Sequence, residues 1–203
     1  KGWVESLIPF VALVLTLSGI LIATDGYFSG SNLRNLAQYA ADGGLIVLAL
    51  LIVVAVGGID LSVGSNFAMS AFVALFCFHI LQLPVPAVLV LTIASGMLIG
   101  TANGVIAGLL GCGALLTTLG TMITVRGIYT LASQAQLVEI STSARMDDTW
   151  DWIGFEKVLT LPVGFWVLVL VAVLVFVMFR QIRFGWHVLA VGGNRKAARH
   201  GGI

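Results

Sequence analysis

The chain has 203 residues, of which 59% are hydrophobic and 9% charged, with a formal net charge of +1. At a mean hydropathy of +1.08, so few polar side chains leave too little polar surface for a soluble globule, and the composition is that of an integral membrane protein. The near-neutral total charge says little about partners, and no nucleic-acid partner is expected.

A helical span needs about 20 apolar residues. Six stretches fit that need in whole or part: 7–23, 43–56, 62–81, 86–110, 114–133 and 161–179. The first does not read as a signal peptide, because no small-x-small cleavage pattern follows it. A chain that opens on Lys1 rather than Met is expected to have a trimmed N-terminus. The second stretch is short and runs into Gly57-Gly58-Ile59-Asp60-Leu61-Ser62-Val63-Gly64-Ser65. Its paired glycines can break a helix, and Asp60 or Ser62 can cap the next one. Two structures satisfy that pattern, a capped hairpin turn at the membrane boundary or a broken helix entering the bilayer at a gate. A charge at the bilayer centre costs about 2.5–3.5 kcal/mol, which favours a structural Asp60 at or near the boundary.

The fourth stretch carries Gly96, Gly100, Gly104 and Gly108 at intervals of four, a ridge that another backbone can approach closely. Asn103 beside it is an amide within a span, and either a polar pathway or an interhelical hydrogen bond would satisfy it. The fifth stretch holds Arg126, too deep for a loop base. Such a group faces protein or water and pairs with something, and Asp60, carbonyls of a broken helix or groups on other helices all qualify. Thr117, Thr121 and Thr124 can line one face of this span, with Thr118 beside it, although threonine also bonds to its own helix.

Cys77 and Cys112 lie in or beside apolar stretches without CxxC spacing, so both read as buried free thiols. The scattered His79, His187 and His200 form no metal-binding constellation. No G-x-x-x-x-G-K-[ST] loop is present, so a nucleotide would have to be bound by a separate subunit.

Residues 180–203 hold Arg180, Arg183, Arg195, Lys196 and Arg199 with no acid, whereas 135–160 holds Glu139, Asp147, Asp148, Asp151 and Glu156 against Arg145 and Lys157. By the positive-inside rule the basic tail is cytoplasmic, and six spans return the N-terminus to the same side. Trp150, Trp152 and Trp166 then suit the outer interface and Trp186 the inner one. Bases after a span also contact anionic lipid, but lipid attraction has no need of the tail's other features. Gly192 and Gly193 permit a tight turn, Asn194 can cap a short helix, Ala197 and Ala198 leave a low-profile face, and Gly201-Gly202 can end it.

The run from Phe184 to Ile203, with its GGN-x-x-AA framing, resembles the cytoplasmic coupling segment of monosaccharide-type ABC importer permeases, the ribose, xylose and arabinose group. The stretch 57–65 is similar to that family's GGIDLSVGS signature, and Leu116-Thr117-Thr118-Leu119-Gly120-Thr121-Met122 with Arg126-Gly127 to its TLGTM…RG stretch. The resemblance implies an all-α polytopic membrane helix bundle with roughly ten spans in about 300 residues or more. The present chain is accordingly expected to be a fragment, with six spans over 1–183 and a coupling segment over 184–203. It further implies a transport subunit in a bacterial inner membrane that binds no cofactor itself. A separate ATPase using ATP and magnesium would grip Gly192, Gly193, Asn194, Arg195, Lys196, Ala197, Ala198 and Arg199. A periplasmic binding protein would deliver the sugar, and a second permease subunit, expected to be an identical copy, would complete the path. Asp60, Ser62, Asn103, Thr117, Thr118 and Arg126 are the candidate path or gate residues. A related importer for branched-chain amino acids, nucleosides or autoinducer is the alternative, and a secondary transporter is disfavoured by the near absence of intramembrane acids.

Overall fold

The computed structural model describes residues 2–24, 26–143 and 145–202. It is an all-α bundle: α1 (Gly2–Ala23), α2 (Gly30–Ala55), α3 (Val63–Leu75), α4 (Val85–Gly104), α5 (Ala114–Thr142), α6 (Asp148–Phe155), α7 (Val163–Gln181), α8 (Arg183–Gly193) and α9 (Arg195–His200). Five helical stretches are long and apolar enough to cross a membrane, and α1 contributes a shorter apolar run, Leu7–Leu21. The chain is therefore a multi-pass membrane protein.

Two spans are longer than their apolar runs. α2 begins at Gly30, not near residue 43, because Ser29 accepts from the Asn32 amide and the polar stretch after it stays helical. α5 continues beyond residue 133 to Thr142. Hydropathy marks the part of a helix that lipid can cover, and hydrogen bonding carries the helix past it.

α3 and α4 end by the same device. Each widens into a π-helical turn, Phe76–Ile80 and Val105–Leu109. A left-handed residue follows, Gln82 (φ 53°) or Gly111 (φ 73°). Main-chain bonds then close the wide turn, Leu83 N to the Cys77 carbonyl at 3.0 Å and Cys112 N to the Ile106 carbonyl at 3.3 Å. This geometry turns Cys112 outward, so it is exposed, contrary to the buried thiol expected; Cys77 is buried.

Beyond α3 and α4, the segment after α5 folds back onto them. Cys77, Phe78, Val85 and Val88 form a buried cluster against which Trp150 and Ile153 of α6 pack. The Arg145 guanidinium lies 4.1 Å from the centre of the Phe78 ring, and the Trp150 ring is stacked on Phe78 at 4.4 Å and 13°. Arg145 also donates to two main-chain carbonyls, those of Phe78 and, at 2.7 Å, Leu83. Trp150 is thus a packed ring and not a free interfacial one, whereas Trp152 remains exposed. A two-residue hairpin, β1 (Lys157–Val158) with β2 (Leu161–Pro162), turns through Leu159 and Thr160 at positive φ and leads into α7. There the Trp166 indole donates to the Val158 carbonyl at 2.9 Å.

Two groups of helices result. α3, α4 and α5 pack together, and α2 packs on α7 with α8 across their ends. Gly44 makes the second pairing close, since a Cβ there would fall 2.8 Å from a Leu168 methyl. The antiparallel order gathers the ends of α2, α4 and α7 with the tail at one end of the bundle, and α6 with the acidic segment at the other.

Single cysteines replacing Asp148 and Lys196, in a background lacking Cys77 and Cys112, are expected to react with an impermeant reagent from opposite faces of the membrane. Labelling of both from outside intact cells would remove this topology.

Candidate functional site

The break between α2 and α3 organises the polar residues of the bundle. α2 stops in a Schellman turn: Gly57 is left-handed at φ 83°, its amide bonds to the Val54 carbonyl, and the Gly58 amide to the Val53 carbonyl, each at 2.9 Å. Glycine is needed there because an L side chain resists that φ.

Asp60 holds the chain that follows. One carboxylate oxygen accepts from the Ser62 amide at 2.7 Å and from the Ser62 hydroxyl at 2.6 Å, a local turn bridged by an acidic side chain. Ser62, at the start of α3, makes no side-chain cap of its own. Its hydroxyl instead accepts from the Asn103 amide of α4 at 2.8 Å. The Asn103 oxygen then accepts from the Thr121 hydroxyl of α5 at 2.6 Å. A second bridge runs from Thr118 of α5 to the Ile59 carbonyl at 3.3 Å, shared with the carbonyl of Ala114 in its own helix. Ser62, Asn103 and Thr118 are buried, Ser62 at 1% exposure. Three of the six sequence-derived path residues, Asp60, Ser62 and Asn103, therefore meet in one hydrogen-bonded cluster, and a fourth, Thr118, reaches the same break through the Ile59 carbonyl, tying it to α4 and α5.

Thr117 and Arg126 lie outside the cluster. Thr117 is buried with its hydroxyl unpartnered. With Thr121 and Thr124 it lines a groove of about 480 Å³, whose wall includes Ile106, Gly120 and the exposed Cys112. Arg126 is exposed on α5, and among the described residues no ion pair joins it to Asp60, whose bonding oxygen is taken by Ser62. The glycine ridge of α4 is only partly used: a Cβ at Gly96 would lie 3.2 Å from the Ser70 hydroxyl, whereas Gly100, Gly104 and Gly108 face open space.

The tail forms two short helices. Asn194 is extended and its side-chain oxygen accepts from the Ala197 amide at 3.0 Å, capping α9 as its sequence suggests. Gly201 and Gly202, the latter at φ 81°, end α9. Two expectations change. Gly192 and Gly193 do not make the turn; both belong to α8, and the bend is at Asn194. A Cβ at Gly192 would overlap the Ala55 carbonyl oxygen, so that glycine serves close approach to α2. Ala198 is buried, so the low-profile face is not presented by both alanines: Ala197, Arg195, Lys196 and Arg199 are exposed and Ala198 turns inward.

Arg145 is the residue that sequence reading counted only as a charge. Its isolation among acids and its place after a long span were the available signals, but its acceptors are main-chain carbonyls more than 60 residues away.

Residues 32–203 match the family model described as branched-chain amino acid transport system, permease component. The ribose import permease protein of Haemophilus influenzae is 28% identical over 96% of this chain and 59% of its own length. The galactofuranose transporter permease protein of Escherichia coli is 28% identical over 90% and 52%. The galactose/methyl galactoside import permease protein of Salmonella typhimurium is 27% identical over 99% and 64%. The chain thus spans between half and two thirds of the length of these relatives. No solved structure gives a significant match.

Hydrogen bonds between membrane helices average about 0.6 kcal/mol with a maximum near 1.7 kcal/mol. A double-mutant cycle of Ser62→Ala with Asn103→Leu, read from unfolding in detergent, is expected to give a coupling at the upper end of that range. Additive effects would show that the bond contributes nothing net.

Proposed function

We propose, because this chain belongs to the branched-chain amino acid transport permease family, that it lines the path of an ATP-driven importer for a monosaccharide. The observation carrying the sugar reading is that relatives aligned over nearly the whole chain are named for ribose, galactofuranose and galactose. The chemistry of the groove agrees. Thr124, exposed on the groove wall, offers a hydroxyl, which exchanges weak hydrogen bonds with a polyol and suits passage better than retention.

In this reading the basic end of the bundle is cytoplasmic and the membrane is a bacterial inner membrane. A separate ATP-binding subunit, using ATP and magnesium, engages residues 192–199 through the exposed side of α9. A periplasmic sugar-binding protein meets the acidic end, and a second permease subunit, an identical copy, completes the path. Asp60, Ser62, Asn103 and Thr118 hold the break at the inner end of that path. Arg126, exposed on α5, is directed to a group outside the residues described.

The family's description names branched-chain amino acids, which makes leucine the pertinent competitor. Cells carrying the full-length permease with its neighbouring ATPase and binding protein are expected to accumulate labelled ribose or galactose and not leucine. Uptake of leucine without either sugar would remove the sugar reading.

Ala197→Trp in the full-length protein is expected to abolish uptake and sugar-stimulated ATP hydrolysis with the membrane level unchanged. Ala198→Trp, at a buried position, is expected to lower the folded yield as well. Normal uptake by the Ala197 variant would return the tail to a determinant of topology.

A further inference from the structure

α8 rests on the ends of two spans through one face of its helix. Gly185 and Gly192 are seven residues apart, close to two turns, and Val188 between them is buried. A Cβ at Gly185 would overlap the Met178 carbonyl oxygen and lie 2.7 Å from the Phe179 Cα, in α7. At Gly192 it would overlap the Ala55 carbonyl oxygen and lie 3.0 Å from the carbonyl carbon of that residue, in α2. Both contacts are backbone against backbone. No flexible side chain intervenes to absorb a displacement, and close-packed contacts transmit strain.

The Gly192 contact falls on the last turn of α2, directly before the break. A Cβ at Gly57, the left-handed residue of that break, would lie 3.8 Å from the Gly192 Cα. On the far side of the break, α3, α4 and α5 are tied together by the bonds from Ser62 to Asn103 and from Asn103 to Thr121. Between the two groups runs a short non-helical stretch, 56–62.

We propose that α8 is a rigid saddle, seated by Gly185 on α7 and by Gly192 on α2, which converts displacement of α9 into joint movement of α2 and α7 about the 56–62 break. Gly185 and Gly192 are then positioning residues, and the small size of each is what makes the linkage stiff. The inference rests on the reading of the tail as the segment that an ATPase grips. It describes a hinge between two packed bodies, one of the standard forms of domain movement.

The test uses the full-length permease reconstituted in liposomes with its ATPase and binding protein. Leu51 of α2 and Leu189 of α8 line the same groove. Cysteines at both, without Cys77 and Cys112, bridged by a reducible bifunctional thiol reagent long enough to span the groove, are expected to crosslink and to leave transport at its uncrosslinked rate, because a saddle keeps that distance constant through the cycle. Failure to crosslink, or loss of transport that reductant restores, would overturn the saddle. Gly185→Ala, outside the segment the ATPase engages, is expected to lower sugar transported per ATP hydrolysed by about tenfold, the scale of a typical coupling, with the ATPase still copurifying; an unchanged ratio also overturns it. A photo-crosslinker at Ala197 reports separately on the tail. No adduct with the ATPase sinks the ATPase reading, whereas an adduct together with transport lost on the Leu51–Leu189 crosslink sinks the saddle alone.

Discussion

Lipid offers no hydrogen bonds, so each helix that stops within an apolar bundle has to satisfy its own main chain. This chain meets that constraint three times, in three ways. At the end of α2 a left-handed glycine closes the last turn, and the Asp60 carboxylate takes the Ser62 amide. At the end of α3 a π turn is closed through Gln82, and Arg145 takes two carbonyls. The end of α4 manages with main-chain bonds and Gly111 alone. The groups recruited at each stop determine what else is drawn to it. Asp60 draws in Ser62, Asn103 and Thr121, so the stop becomes the junction of three helices. Arg145 brings α6 back over α3 and α4.

The consequence is a bundle in two parts held by different means. Within α3, α4 and α5 the ties are side-chain hydrogen bonds: the Ser62 and Thr121 links to Asn103, and a weaker one from Asn66 to the Gly96 carbonyl at 3.3 Å. Between α2, α7 and α8 the ties are glycine contacts, Gly44 on Leu168, Gly185 on Met178 and Gly192 on Ala55. Hydrogen bonds fix direction as well as distance, whereas glycine contacts fix distance and leave sliding opposed only by shape. Much apolar surface stays uncovered around both parts, with Leu98, Leu116 and Leu131 each more than 70% exposed. A bilayer is the natural cover for such a surface.

Spans were legible wherever lipid dictates composition, and less so where it does not. The apolar runs located all the long helices, yet the first half of α2 escaped because Asn32, Arg34, Gln38 and Asp42 carry no apolar signal. At the break, the residue types announced their chemistry: an acid, a serine and a buried amide have to find partners, and they found one another. Their exact pairing was not readable, since Asn103 is 41 residues from Ser62 and no local rule connects them. Glycine was the least transparent residue. Gly57 and Gly111 serve positive φ and Gly192 serves close approach, while Gly100 and Gly104 touch nothing among the described residues. Spacing alone does not separate these uses. Ala198 illustrates the same difficulty on α9, where six residues are too few for a periodic pattern to tell its inner side from its outer one.

Arg145 carries one more implication. Its hydrogen-bond acceptors are the carbonyls of Phe78 and Leu83, and every amino acid supplies a carbonyl. A change of side chain at 78 or 83 therefore leaves those two acceptors in place, and what it costs is packing, the buried ring at 78 and the Leu83 contact with the same cluster. Correlated substitution, the usual trace by which an alignment betrays distant contacts, will be silent about this clasp except through the aromatic pair at 78 and 150. Methods that infer proximity from paired variation should accordingly underestimate how firmly the lid of α6 is attached.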